Sequence, residues 1–349
     1  MIIDSFLFFQ ELDLLEIRLN YLYEYVDKFV IVEACQTFNG KRKKFNFENH
    51  KNRFKKYSEK IIYYKINDFH HSPEELYSYL LSHKYSKKRF IHKLIESHHH
   101  YDRKHIWWVL DSYHRECIHL ALKKVCNSYD LVILSDLDEI PSLKVFDFIK
   151  KNKKLLFPLV CEQYEFKYYL NSLNNLKWLG SIISPYSYLE TRSLNLLRKE
   201  SSKLKKIKNA GYHFTSLGGK KMLKSKIESW GHQEFNIDEI KNNLEYNLLT
   251  GRDVFYRLGV SRNKIVDIEN DNIFDKKIKK ILLKYNQLQI KKNIKENLFD
   301  VIFYRYIQLK IYIPLVKGNP LKAFFKLKKI LSINLSKLFR NFSKILIRK

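Results

Sequence analysis

The sequence predicts an α/β fold built on a mainly parallel, doubly wound sheet, and three observations predict it. Short apolar runs of strand character recur at Ile2 to Phe9, Lys28 to Ala34, Lys60 to Ile66 and Leu131 to Ser135. The segments between them space their apolar residues by three and four, which is the spacing of a helix face. Strands that alternate with helices pair in parallel through crossover connections.

Each element follows from its own residues. Ile2 to Phe9 is apolar enough to be buried on both faces. From Glu11 onward Leu12, Leu15, Leu19, Leu22 and Val26 form one helix stripe, and Lys28 to Ala34 returns to a strand. A basic, helix-like segment follows at Asn49 to Tyr57, then the strand Lys60 to Ile66. Pro73 to Cys126 is mostly helical and polar, interrupted by His98-His99-His100, and Leu131 to Ser135 is a short buried strand. After Pro141 come a short helix, a β-rich stretch from Leu155 to Leu170, an irregular segment around Trp178 to Arg192, and a compact signature from Gly211 to Glu234. From about Asn236 the chain reads as helices. A boundary near Asp267 to Asp275 divides a catalytic domain, 1–270, from a helical, basic extension, 271–349, and no internal repeat occurs.

The 349 residues are 45% hydrophobic, which suits a folded chain with a sizeable core. Sixty-five Lys and Arg against 37 Asp and Glu leave a formal charge of +28, so an anionic partner is expected: nucleic acid, anionic lipid or a phosphorylated substrate. The basic residues come in clusters such as Lys41 to Lys44 and Lys203 to Lys208 rather than one stripe. Cys35, Cys117, Cys126 and Cys161 are scattered, without metal-ligand spacing, and fit a reducing cytoplasm. The opening residues lack the pattern of a signal peptide, and no run of about 18 apolar residues offers a spanning helix.

The strand Leu131 to Ser135 runs straight into Asp136-Leu137-Asp138-Glu139-Ile140-Pro141. Open α/β sheets bind ligands at the carboxyl ends of their strands. Two aspartates one residue apart there can hold a hard divalent cation, Mg²⁺ or Mn²⁺, against a diphosphate. The same pattern also serves as a solvated turn with an aspartate as helix cap.

Gly211-Tyr212-His213-Phe214 with Leu217-Gly218-Gly219 forms a second cluster, where glycines allow close backbone approach and His213 can meet metal or phosphate. Gly231-His232-Gln233-Glu234 adds a histidine and a carboxylate. Asp111, Arg115 and Glu116 share the helix before the acidic strand, where Arg115 either grips a phosphate in a fork or forms a surface ion pair. The histidine tract 98–100 reads as a solvated loop.

Taken in order, these segments resemble glycosyltransferase family 17. The resemblance rests on Asp4-Ser5-Phe6-Leu7-Phe8-Phe9-Gln10-Glu11-Leu12-Asp13-Leu14-Leu15-Glu16-Ile17-Arg18-Leu19, on Val26 to Ala34, on Thr37-Phe38 and Gly40-Lys41, and on Arg115, Asp136 to Pro141, Gly211 to Gly219 and His232 to Glu234. It implies a GT-A-like nucleotide-sugar fold, a UDP-N-acetylglucosamine donor, a divalent metal and inversion at the anomeric carbon. The chain lacks the membrane anchor and stem of the family's animal members and looks like a bacterial-type member.

The expected roles are as follows. Asp136 and Asp138 hold the Mn²⁺ or Mg²⁺, with His232 or His213 as a further ligand, and Arg115 neutralises phosphate. Glu33, Thr37 and Lys41 are candidates for donor contacts by position at a strand end. Glu234 is the first candidate for the base that takes the acceptor proton, and Glu139 the second.

Leu321 to Lys349 holds nine Lys and Arg and no acid, with Phe324, Leu327, Leu331, Leu335, Leu338, Phe342 and Ile345 on one stripe. A basic amphipathic helix of this kind either rests on an anionic leaflet, at roughly 1 kcal/mol per basic residue, or packs on the enzyme. The sequence therefore places the enzyme in the cytoplasm, peripheral at the inner face of the membrane, beside a glycan or lipid-linked glycan acceptor. The charge with 24 Tyr and 24 Phe also allows a nucleic-acid-binding protein, but no binding motif appears and no nucleic acid is expected. Another metal-dependent nucleotide-sugar or phosphate enzyme is the remaining alternative; Glu-Ile-Pro after Asp138 argues against an aspartate-nucleophile phosphohydrolase.

Overall fold

The computed structural model describes residues 1–315 except 83–85, 153–154, 231, 258 and 292. The basic run Leu321 to Lys349 and Gly231 of the Gly-His-Gln-Glu motif lie outside the described residues. The chain forms two compact units, one of Met1–Asn236 with Lys264–Lys291, the other of Ile237–Asn263 with the chain from Lys292 onward. The units interleave along the sequence.

The first unit holds a ten-stranded mixed sheet. Its strands are β1 (Ile2–Leu7), β2 (Lys28–Ala34), β3 (Ile61–Ile66), β4 (Leu131–Asp136), β5 (Glu139–Pro141), β6 (Leu159–Lys167), β7 (Ser172–Pro185), β8 (Lys205–Ile207), β9 (Gly211–Thr215) and β10 (Lys264–Ile265). The order is β3-β2-β1-β4-β7-β6-β9-β5, with β10 on β7 and β8 on β6.

The four strands expected from the sequence, β3, β2, β1 and β4, are parallel neighbours. Phe29 and Ile31 face one apolar cluster while Val30 and Val32 face another, so both sides of these strands are covered, as continuous apolar runs require. The expectation of a mainly parallel sheet holds for this half only. Beyond β4 the pairings β4–β7, β7–β6 and β5–β9 are antiparallel. The cause is local: β6 and β7 are joined by four residues, 168–171, with Tyr168 at φ 72°, and so short a link permits only an antiparallel return.

The segment Trp178 to Arg192, expected to be irregular, continues the 14-residue β7 as far as Pro185 and then forms a short helix, Tyr186–Leu189. In β7 Asn175 to Trp178 are exposed whereas Gly180 to Pro185 are buried, so the strand shows no single alternation along its length.

The helix Leu12–Leu22 follows β1 and buries Leu14, Leu15, Ile17, Leu19, Tyr21 and Leu22. It also buries Arg18 completely, a charge that an apolar helix face accepts only with partners. In the second unit the short helices Asp238–Asn242 and Leu244–Thr250 pack on each other, the helix Leu298–Leu315 hydrogen-bonds to the backbone of Asp253 and Tyr256, and Arg252 forks onto Glu296 at 2.7 and 2.8 Å.

Candidate active site

The acidic turn links β4 to β5 and is pinned from below. Arg18 meets the Asp4 carboxylate with Nε and Nη2, at 2.8 and 2.6 Å. Its Nη1 donates to the backbone carbonyls of Asp136 (3.0 Å), Leu137 (3.0 Å) and Glu139 (2.7 Å), and Nη2 also reaches Ser135 Oγ at 3.0 Å. A guanidinium has five N–H donors in a rigid fork, so this one side chain can fix the path of the whole turn. With its carbonyls turned inward, the turn directs Asp136 and Asp138 to the cavity described below.

From the other side the turn is held by the second glycine cluster. β5 pairs with β9, placing Glu139 opposite His213, and Phe214 N donates to Asp138 O at 2.8 Å. Gly211 serves this packing rather than a ligand: a Cβ there would lie 2.5 Å from Ile140 O.

Two arginines converge on the aspartate. Arg115 Nη1 donates to Asp136 Oδ1 at 2.6 Å and Arg198 Nη2 to Asp136 Oδ2 at 2.7 Å. Arg198 also forks onto Glu139, Nη1 to Oε2 and Nη2 to Oε1, both 2.7 Å. Glu139 is fully buried and accepts further from Trp178 Nε1 (2.7 Å), Asp136 N (3.0 Å) and Ser181 N (3.1 Å). Arg198 sits on the short helix Leu194–Lys199, whose first turn is capped from the helix Ile106–Glu116. Glu116 accepts from Ser193 Oγ, Leu194 N and Asn195 N.

The electrostatics follow from these contacts. Burial works against charge on Asp136, but Arg115 and Arg198 outweigh it and hold the carboxyl well below the usual range. Burial likewise opposes charge on Asp138, and His213, 3.5 Å away, pulls its carboxyl down. Burial disfavours the His213 cation, and Asp138 reverses that, raising the imidazole above its ordinary value. The His213 ring stacks on Trp178 with centroids 4.6 Å apart.

These groups open onto a cavity of about 420 Å³. Asp136, Asp138, Arg115 and Arg198 line it together with Thr37, His232, Lys199 and Lys226. Phe8, Phe9 and Phe38 make one apolar wall, and three of the chain's four tryptophans, Trp108, Trp178 and Trp230, also border the space. Apolar aromatic walls with a few convergent polar groups are the usual build of a small-molecule site.

Residues 1–80 match the family model of glycosyltransferase family 17. The match supports the family resemblance on the part of the chain that carries β1, β2, β3 and Arg18, and it points to sugar transfer from a sugar donor to a glycan acceptor. It ends before Arg115 and the acidic turn. No curated protein matches the chain.

Of the residues singled out in the sequence, Thr37, Arg115, Asp136, Asp138 and His232 come together on the cavity, with His213 directly behind Asp138. Glu33 is turned to the opposite side of β2, where it accepts from Lys43 Nζ (2.6 Å), Asn46 N (2.6 Å), Phe47 N (3.1 Å) and Tyr63 OH (2.8 Å). Lys41 is exposed outside the lining and gives its backbone N–H to Thr37 Oγ1 at 2.9 Å. Glu234 also lies outside the lining and binds His232 Nδ1 at 2.7 Å. Burial pushes the Glu234 carboxyl up and the histidine bond pulls it below its ordinary value. The oxygens of Glu139 are spent on the donors named above.

Among the described residues no three His, Cys, Asp or Glu side chains gather as a metal set, so Asp136, Asp138 and His232 are not assembled into one by the protein alone. The donor chemistry still fits Mg²⁺ or Mn²⁺. Mg²⁺ is commonly held by one or two carboxylates with phosphate and water completing the shell, and Asp138 and Asp136 offer such carboxylates at the cavity wall.

Sequence reasoning missed Arg18, Arg198 and the tryptophans. An arginine inside the otherwise apolar stripe of Leu12 to Leu22 was a signal for the first. Arg198 meets Asp136 across 62 positions of chain, and nothing local announces that contact.

Proposed function

We propose that the protein is an inverting, metal-dependent glycosyltransferase that moves N-acetylglucosamine from UDP-N-acetylglucosamine to an envelope glycan such as lipopolysaccharide or capsule. The observation that carries this reading is the meeting of Asp136 and Asp138 with Arg115, Arg198 and Lys226 on one wall of an aromatic cavity. Carboxylates for a cation and guanidinium groups for phosphate oxygens are what a nucleoside diphosphate leaving group needs. The family match to residues 1–80 supports the transferase class.

Asp138, with Asp136 beside it, would hold Mn²⁺ or Mg²⁺, which when bound supplies positive charge for the departing diphosphate. Arg115 and Arg198 orient Asp136 and add their own charge at the same wall. Thr37 and the phenylalanine wall fit the nucleoside, and Trp108 and Trp230, flanking His232, fit a sugar face.

His232 takes the acceptor proton. A carboxylate can only accept, so the bond to Glu234 places the imidazole hydrogen on Nδ1 and leaves the Nε2 lone pair free for a hydroxyl. As the acceptor oxygen bonds to the anomeric carbon, its proton passes to Nε2 and the bond to the diphosphate oxygen breaks. Glu234 thereby acts through the histidine, holding its ring and stabilising its cation.

We place the enzyme in the cytoplasm, peripheral at the inner face of the membrane beside a lipid-linked acceptor, with the basic run Leu321 to Lys349 as one attachment. UDP release from a panel of UDP-sugars, with envelope glycan extracts as acceptors, tests the reading. Turnover of UDP-N-acetylglucosamine supports it; no binding or turnover of any UDP-sugar overturns it.

A further inference from the structure

The helix Leu298–Leu315 is apolar on two opposite faces. Asn297 and Asp300 start it with reciprocal hydrogen bonds, Asn297 N to Asp300 Oδ2 at 3.0 Å and Asp300 N to Asn297 Oδ1 at 2.9 Å, a capping arrangement that fixes its register. One face packs on its own unit through Tyr304, Ile307, Gln308 and Ile311, all buried. Tyr304 OH donates to Asp253 O at 2.9 Å and Gln308 Nε2 to Tyr256 O at 2.8 Å.

Leu298, Phe299, Ile302, Phe303 and Tyr306 lie on the other side, from 41% exposed at Phe303 to 74% at Phe299. At about 100° per residue these five fall within about 140° of arc, roughly opposite the packed face. A helix packed on one side of a globular unit ordinarily turns polar residues to water on the other.

We propose that this face is a docking surface for an anionic lipid leaflet, with the helix lying in the plane of the membrane and the five side chains buried at the headgroup boundary. Charge identifies the partner. Lys295 and Lys310 of the same unit are exposed, and the chain from Val316 to Lys349 carries ten Lys and Arg and no Asp or Glu. A second copy of the chain would bring the same positive charge against this one, whereas anionic headgroups attract it. An apolar face joined to a polybasic stretch provides the two signals that stable peripheral binding takes. None of the described helices is long and apolar enough to cross a membrane. The proposal extends the peripheral placement given above, on different residues, and does not depend on the sugar chemistry.

Sedimentation of the full chain with vesicles tests it, using phosphatidylcholine alone and phosphatidylcholine mixed with phosphatidylglycerol. Wild type is expected to bind the mixed vesicles and not the neutral ones. Phe299→Ser with Ile302→Ser should weaken that binding by about tenfold or more, with the melting temperature unchanged because both side chains are exposed. Equal binding by wild type and double variant overturns the proposal, as does failure of wild type to bind. So does a wild-type dimer that the double variant converts to monomer, since the face then joins two copies. UDP-N-acetylglucosamine binding measured on the same samples separates the two readings: its absence sinks the transferase proposal and leaves the vesicle result standing.

Discussion

Arg18 and Asp4 form a fully buried ion pair, Nε to Oδ2 at 2.8 Å and Nη2 to Oδ1 at 2.6 Å, directly beneath the turn that carries Asp136 and Asp138. Removing one member of such a pair strands the other charge in the core. Arg18→Met should therefore destabilise the protein by about 3–5 kcal/mol in urea unfolding, and Asp4→Asn by a comparable amount. The double variant should lose less than the sum of the two. Unchanged urea midpoints in both single variants would contradict the role given to the pair.

Arg198 is the cavity's link between Asp136 and Glu139, and lysine cannot reproduce its fork. Arg198→Lys should keep the fold and weaken UDP binding by about 10–100-fold, the scale of one or two charge-assisted hydrogen bonds. Calorimetric titration with UDP checks this. Wild-type affinity in a folded variant would remove Arg198 from the site.

Burial pushes the Glu116 carboxyl up to about 7, against the three hydrogen bonds that it accepts at the start of the Arg198 helix. Its folded value lies above the unfolded one, so the native state binds the extra proton. Its contribution is fully present below about pH 4.5 and is lost as pH rises through about 7. Glu116→Gln should flatten that fall, which is on the order of 3 kcal/mol for the full shift. Melting temperatures of both proteins at pH 5 and pH 8 give the test; parallel curves would contradict it.

His232→Gln removes the proposed proton acceptor and should lower kcat by about 10²–10⁴ while leaving UDP affinity within about threefold. Glu234→Gln should lower kcat less and shift the pH–rate profile, because it alters the histidine rather than the reaction directly. Equal losses of kcat and donor affinity in His232→Gln would instead place the ring on the donor.

Much of the parallel half of the fold was legible because β1, β2 and β4 are buried between two apolar layers, with β3 half-buried at the edge, and so appear as short runs in which apolar residues dominate. β7 was hidden, since the four exposed residues from Asn175 to Trp178 interrupt its buried ends, so it has no single strand pattern, and its pairing with β6 makes it one strand. The acidic turn was legible from position alone, at the end of β4. The residues that aim it were not: Arg18 reaches the turn across 118 to 121 positions and Arg198 across 59 to 62. Glu33 misled because strand-end position does not say which way a side chain points. In β2 the neighbours Val32 and Ala34 face the cavity and Glu33 faces away.

In the proposed function Asp138 holds a cation against a UDP-sugar. The most direct measurement is titration of UDP-N-acetylglucosamine into wild type and Asp138→Asn, with Mn²⁺ and then with chelator. Tight binding by wild type that needs Mn²⁺, and weak binding by the variant that Mn²⁺ does not improve, is the predicted result. Binding that ignores both the metal and the substitution would contradict the account.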